Sequence, residues 1–265
     1  ISPCLVGSEM CIRDRANRPP IVSYNFNEPS TLFNGMISPL IPYTMKGVVW
    51  YQGENNAFRH EEYGELFSLL ISDWRSKWDN DFSFYYVQIA PYFNYYNSNA
   101  PLREVQRKAL EVPKTGMVVT LDIGEKYDIH PSNKHDVGFR LARYALKNDY
   151  KIDLIDSGPL YMSQSIHENV IKVFFKHLGD GLVLDENRYS EFEVAGIDKK
   201  YFVADVVNQN DFLEVFSDNV KNPLYVRYAW SDTSSASLFN SEGLPASSFN
   251  TENESSSCDG WSDTI

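Results

Sequence analysis

The chain has 265 residues, 43% of them hydrophobic and 23% charged, with a formal net charge of −12. That composition is globular and excludes a disordered or fibrous chain. No run nears the ~20 apolar residues that span a bilayer. No Lys/Arg cluster supplies the basic face a nucleic-acid partner needs, so a neutral or weakly charged small substrate is the expected partner. The three cysteines, Cys4, Cys11 and Cys258, lie at the two ends and form no metal-ligand pattern.

Residues 1–15 show neither helix nor strand period and no signal-peptide architecture. They read as foreign to the rest, and the natural sequence is expected to start near Ala16. Thr31 to Ile41 reads as a short helix ending near Pro42. Gly47 to Gln52, GVVWYQ, is a continuous apolar run, the mark of a strand buried on both faces. In the next segment Tyr63, Phe67, Leu70, Trp74 and Trp78 recur three or four apart, which predicts an amphipathic helix. Phe82 to Pro91 reads as a second buried strand. Leu102 to Val112 reads as a helix stopped by Pro113, and Gly116 to Gly124 as a third buried strand. His135 to Asn148 is a helix with Val137, Leu141, Tyr144 and Ala145 on one face.

Strands alternating with helices predict a parallel sheet with right-handed crossovers. Active sites of such sheets lie at the carboxyl ends of the strands. There the sequence places Gln52-Gly53-Glu54, Gln88 to Pro91, and Asp122 to His130. After Ser157 the pattern changes to short β-type runs split by Asn, Asp and Gly, which predicts a β-sandwich-like domain. The expected organisation is therefore an α/β domain over 16–157, a β-rich domain over 158–251 and a polar tail over 252–265.

LFNGMISPL (32–40), KGVVWYQGENN (46–56), LREVQ (102–106) and DIHPSNKHDVGFRLA (128–142) together resemble the sialate O-acetylesterase family of carbohydrate esterases, within the SGNH (GDSL-like) hydrolases. VRYAW (226–230) and GLPASSF (243–249) are similar to the family's closing segments. The resemblance implies a flavodoxin-like three-layer α/β fold, incomplete here at its N-terminus, carrying β-domains. It implies serine-dependent removal of O-acetyl groups from sugars, with no metal or cofactor. A periplasmic or extracellular location follows from the resemblance alone.

The family's nucleophile lies in a G-Q-S-N-M-like motif. Gly7-Ser8-Glu9-Met10 has a superficial likeness to it, but no strand precedes it. The nucleophilic serine is expected to be missing from this chain, leaving it inactive as an esterase by itself. His130, in a loop between strand and helix, is the general-base candidate, because a serine hydroxyl needs an imidazole to accept its proton. The acid partner is either Asp128 or Asp122. Many SGNH hydrolases place the acid three residues before the histidine, where Tyr127 stands here. Gln52 and Gly53 are the oxyanion-hole candidates, with Glu54 in support. Arg103 and Gln106 share one helix face and are candidates for contacting the sugar. Asn34 is a candidate for a supporting role. Two other readings stay open: a non-catalytic carbohydrate-binding protein on the same scaffold, and a metal-dependent hydrolase. The second is disfavoured because His130 and His135 straddle a helix start.

Overall fold

A computed structural model describes residues 28–186 and 190–252. The foreign-looking segment 1–15 with Ser8, and the tail from 253 onward, lie outside them. The chain divides into two units, one up to Thr44 and one from Met45.

In the first unit the predicted helix is a π-helical turn, Phe33–Ile37, followed by a 3-10 turn, Ser38–Leu40. The Ser38 N–H donates to the Phe33 carbonyl five residues back, the bond that defines a π turn. Pro39 sits at the second position of the 3-10 turn. A missing N–H costs nothing there.

The second unit begins with three parallel strands, β1 (Gly47–Trp50), β2 (Ser83–Val87) and β3 (Thr115–Val118), in the order β1-β2-β3. Three helices flank them: α1 (His60–Trp78), α2 (Asn99–Lys108) and α3 (Lys134–Asn148). Strand geometry sends alternate residues to opposite faces. Phe84 and Tyr86 share a core with Tyr63, Phe67 and Ile71 of α1 and Leu102 of α2. Tyr85 and Val87 pack instead with Val137 and Tyr144 of α3. Helices therefore cover both faces of the sheet, as the alternating pattern predicts.

Two local expectations are corrected. β1 was expected to be buried on both faces, yet Val49 is 67% exposed. Val48 and Trp50 pack onto the α1 side, but α3 covers β2 and β3 only and leaves the other face of β1 open among the described residues. α2 begins at Asn99, three residues before the predicted start. Pro101 falls in its first turn, where helices tolerate proline.

Beyond α3 the chain is β-rich and antiparallel. One sheet joins β4 (Leu160–His167), β5 (Val170–Lys176), β10 (Phe212–Phe216) and β9 (Asp205–Asn208) in that order. A second joins β13 (Phe249–Asn250), β11 (Tyr225–Tyr228), β7 (Phe192–Ala195) and β8 (Phe202–Val203). A two-strand ribbon pairs β12 (Leu238–Asn240) with β6 (Leu182–Leu184). Phe192, Tyr228 and Phe249 belong to the same continuous core as Phe84 and Leu102. The change from helix-containing to β-rich chain falls between α3 and β4, within the one compact unit that starts at Met45.

Polar bonds join the two halves as well. The fully buried guanidinium of Arg103 on α2 donates to the carbonyls of Ala229 and Ser231 at 3.0 and 2.7 Å and to Ser248 Oγ at 3.3 Å. Burial lowers that guanidinium to about 10. Gln88 Nε2 reaches Ser247 Oγ at 2.9 Å.

Candidate active site

β1 ends in the turn Gln52-Gly53-Glu54, which leads through a 3-10 stretch, Glu54–Arg59, into α1. Gly53 adopts φ +152°, and a Cβ there would lie 3.1 Å from both Gln106 Nε2 and Ile89 Cγ2. The backbone conformation calls for glycine, and a Cβ would also push its two side-chain neighbours back by a few tenths of an ångström. Gly53→Ala is expected to cost about 1–3 kcal/mol, read as a lower urea midpoint. A variant as stable as the parent would show that the turn is not held in this geometry.

The turn is braced from below. Gln106 is fully buried. Its Oε1 accepts the Ile89 N–H at 2.9 Å, and its Nε2 donates to the carbonyls of Gln52 and Val87, each at 3.4 Å. The Tyr63 hydroxyl donates to the Gln52 carbonyl at 3.2 Å. The Gln52 side-chain amide donates to Asn56 Oδ1 at 2.7 Å, which fixes its direction and leaves its second N–H free of that bond. Glu54 lies close enough to raise three neighbouring phenols. Tyr51 is pushed up to about 12, by burial first and then by the Glu54 carboxylate. Tyr63 and Tyr92 are raised by the same two causes.

β3 ends in the loop that carries His130. Glu125 closes this loop: its Oε1 accepts both the N–H and the hydroxyl of Ser132 at 2.7 Å. These bonds hold the Glu125 carboxyl below the usual carboxylate range. Asn133 caps α3, its Oδ1 accepting the Asp136 N–H at 3.1 Å. His130 is exposed, and its backbone N–H donates to Asp128 Oδ1 at 2.8 Å. No described residue hydrogen-bonds its imidazole.

Both loops leave the carboxyl edge of the sheet, and the residues flanking them come together there. The Lys134 ammonium lies 5.0 Å from the centre of the Tyr51 ring. The loop after β2 runs between them: the Tyr92 hydroxyl donates to the Glu54 carbonyl at 3.4 Å, and the Phe93 N–H donates to the Lys126 carbonyl at 2.7 Å.

The two acid candidates differ in their commitments. Asp122 accepts Arg140 Nη1 and Nη2 at 2.7 and 2.5 Å, and both side chains are largely buried. The same guanidinium reaches the Val119 carbonyl at 2.7 Å. Both Asp122 oxygens therefore anchor α3 to the end of β3. Asp128 is exposed and forms a local turn with His130. Asp122→Asn is expected to lower stability by about 1–3 kcal/mol and to leave kcat within tenfold. A loss of about 10⁴ in kcat at unchanged stability, as when a triad acid is removed, would make Asp122 the acid partner.

The other expected contacts fall elsewhere. Arg103 and Gln106 were expected to face substrate. They do share a face of α2, but that face is buried, so Arg103 joins the two halves and Gln106 positions the 52–54 turn. Asn34 is exposed on the π turn of the first unit, with its N–H donating to the Ser30 carbonyl at 2.8 Å. Sequence reasoning missed Glu125 and Tyr92. Among the described residues no three His, Cys, Asp or Glu side chains converge as a metal site would require.

The family model for carbohydrate esterases of the sialic acid-specific acetylesterase type matches residues 23–147. This stretch contains both edge loops. Over this stretch, just under half of the chain, the sequence is that of the sialic acid-specific acetylesterase family of carbohydrate esterases. The mouse and rat sialate O-acetylesterases are 34% identical to it over 154 residues, covering 49% of this chain and 28% of each relative. The human sialate O-acetylesterase is 31% identical over 154 residues, or 29% of its own length. The crystal structure of a carbohydrate acetylesterase from Xanthomonas citri superposes with a TM-score of 0.79 at 37% identity, covering 84% of this chain and 54% of that one. The chain thus spans about half of that esterase, and its matched part under a third of the mammalian ones.

Proposed function

We propose that the protein is a carbohydrate O-acetylesterase, cleaving O-acetyl esters of sugars by serine–histidine chemistry at the edge formed by the 52–54 turn and the His130 loop. One observation carries the reading. The two motifs, some 75 residues apart in sequence, are brought to one sheet edge and linked by Lys134 against Tyr51. No described serine bonds the His130 ring, so the reading assigns the nucleophile to a serine outside the described residues.

The steps follow from the groups present. His130 accepts the serine proton as the hydroxyl oxygen attacks the acetyl carbonyl. The carbonyl oxygen becomes an oxyanion, held by the Gln52 amide and the Gly53 N–H. The tetrahedral intermediate collapses, the ester C–O bond breaks, and His130 returns its proton to the departing sugar oxygen. Water, deprotonated by the same imidazole, attacks the acetyl–serine ester; the bond from the acetyl carbon to the serine oxygen breaks, the imidazole returns its proton to that oxygen, and acetate leaves. Asp128 is the preferred acid partner, since the Asp122 oxygens are both taken by Arg140. The reading as a binding module without chemistry is not favoured, because the relatives that match are named as esterases.

Acetate release tests the proposal. A protein joining these residues to the nucleophilic serine should free acetate from O-acetylated sialic acid or from acetylated neutral glycans. No release from either class would overturn it.

A further inference from the structure

The His130 loop is fixed in shape by its own bonds. Glu125 Oε1 accepts both the N–H and the hydroxyl of Ser132 at 2.7 Å, so the two ends of the loop are tied to each other. Asp128 Oδ1 accepts the His130 N–H at 2.8 Å. Bonds within a loop set its form but not its place. General-base chemistry needs the place as well, because a reacting group displaced by about 1 Å can lose about 10² in rate.

Lys134 reaches from this loop to the chain that carries the 52–54 turn. It opens α3, just past the loop. Its ammonium donates to the carbonyl of Pro131, the residue after His130, at 2.7 Å. The same ammonium lies over the Tyr51 ring, 5.0 Å from its centre. Tyr51 follows directly on β1 and precedes Gln52. A cation is attracted to the negative face of an aromatic ring, and an ammonium has three N–H donors to share between such contacts. One side chain thus grips both sides of the site.

Tyr51 meets Lys134 with its ring and not with its hydroxyl. The phenol oxygen is buried and has no hydrogen-bond partner among the described residues. The ring itself packs against the cluster of Tyr85, Val87, Val118, Val137 and Tyr144, which makes it a steady platform for a flexible side chain. The other tie on this loop, from the Phe93 N–H to the Lys126 carbonyl, runs to the loop after β2 and not to the chain around Gln52. The Lys134 clasp therefore supplies what the internal bonds lack, a fixed relation between the His130 loop and the 52–54 turn.

We propose that Lys134 is a positioning residue for ester cleavage: held between the Pro131 carbonyl and the Tyr51 ring, it sets the place of His130 relative to Gln52 and Gly53. This rests on the esterase reading above. In a protein joining these residues to the nucleophilic serine, Lys134→Met should lower kcat about tenfold and keep KM within about twofold. Lys134→Arg, which keeps a cation and its donors, should restore most of the rate. Tyr51→Leu should give a loss like that of Lys134→Met, and Tyr51→Phe, which keeps the ring, should restore it. The double variant Lys134→Met/Tyr51→Leu should lose little more than either alone, because both remove the same clasp. On the present chain, hydrogen exchange of the bonded His130 and Ser132 amides should quicken severalfold in Lys134→Met and not in Lys134→Arg. Lys134 is exposed, so its replacement leaves the core intact; should Tyr51→Leu fold poorly, Lys134→Met and its arginine rescue decide. Parental kcat in Lys134→Met, losses that multiply in the double variant, or unchanged exchange would each overturn the proposal and spare the esterase reading. No acetate release from the parent would sink that reading and this proposal with it.

Discussion

His130→Ala, in a protein carrying these residues together with the nucleophilic serine, is expected to lower kcat by about 10⁴–10⁶, as loss of a triad member does. The imidazole is exposed and hydrogen-bonded by no described residue, so removing it sacrifices no packing. Stability should stay within about 0.5 kcal/mol of the parent, the usual range for a surface substitution. This pairing of a large kinetic effect with a negligible structural one identifies a group that works on the reaction alone. Acetate release and urea unfolding on the same preparation check both halves. A variant that folds normally and turns over at the parental rate would remove His130 from the mechanism.

Gln52→Ala should cost about 10²–10³ in kcat with little change in KM, the signature of a lost oxyanion donor. Its amide is aimed by Asn56 and its carbonyl pinned by Tyr63 and Gln106. A preorganised donor stabilises the transition state without reorganising, and the substitution leaves the pinned backbone in place. Asn56→Ala should give a smaller loss, because it frees the amide to turn but does not delete it. If Gln52→Ala raises KM and spares kcat, the amide binds the sugar and does not hold the developing charge.

The elements that position the site were legible because burial writes itself into composition. β2 and β3 appear as unbroken apolar runs, and the 3.6-residue spacing of Tyr63, Phe67 and Trp74 marks α1. His130 became a candidate through its family-like D-I-H-P segment and its place at a strand-to-helix junction, where a parallel sheet exposes its loops. The direction of a helix face was harder to read. Arg103 and Gln106 have the spacing of a shared face, and charge normally means outward. Here the guanidinium spends its donors on carbonyls of the β-rich half, contacts more than 120 residues distant in sequence. The start of α2 was hidden by Pro101, which looks like a breaker and acts as a first-turn residue. The loop at 92–97 left no periodic trace, because what braces it are bonds among the Asn94, Ser98 and Asn99 side chains.

The most direct test of serine–histidine chemistry at this edge is covalent labelling with a fluorophosphonate, followed by intact mass. The protein carrying the serine segment should gain one adduct, on that serine, and His130→Ala should gain it at a rate lower by orders of magnitude. Labelling at the parental rate in His130→Ala, or no adduct in the parent, would contradict the account.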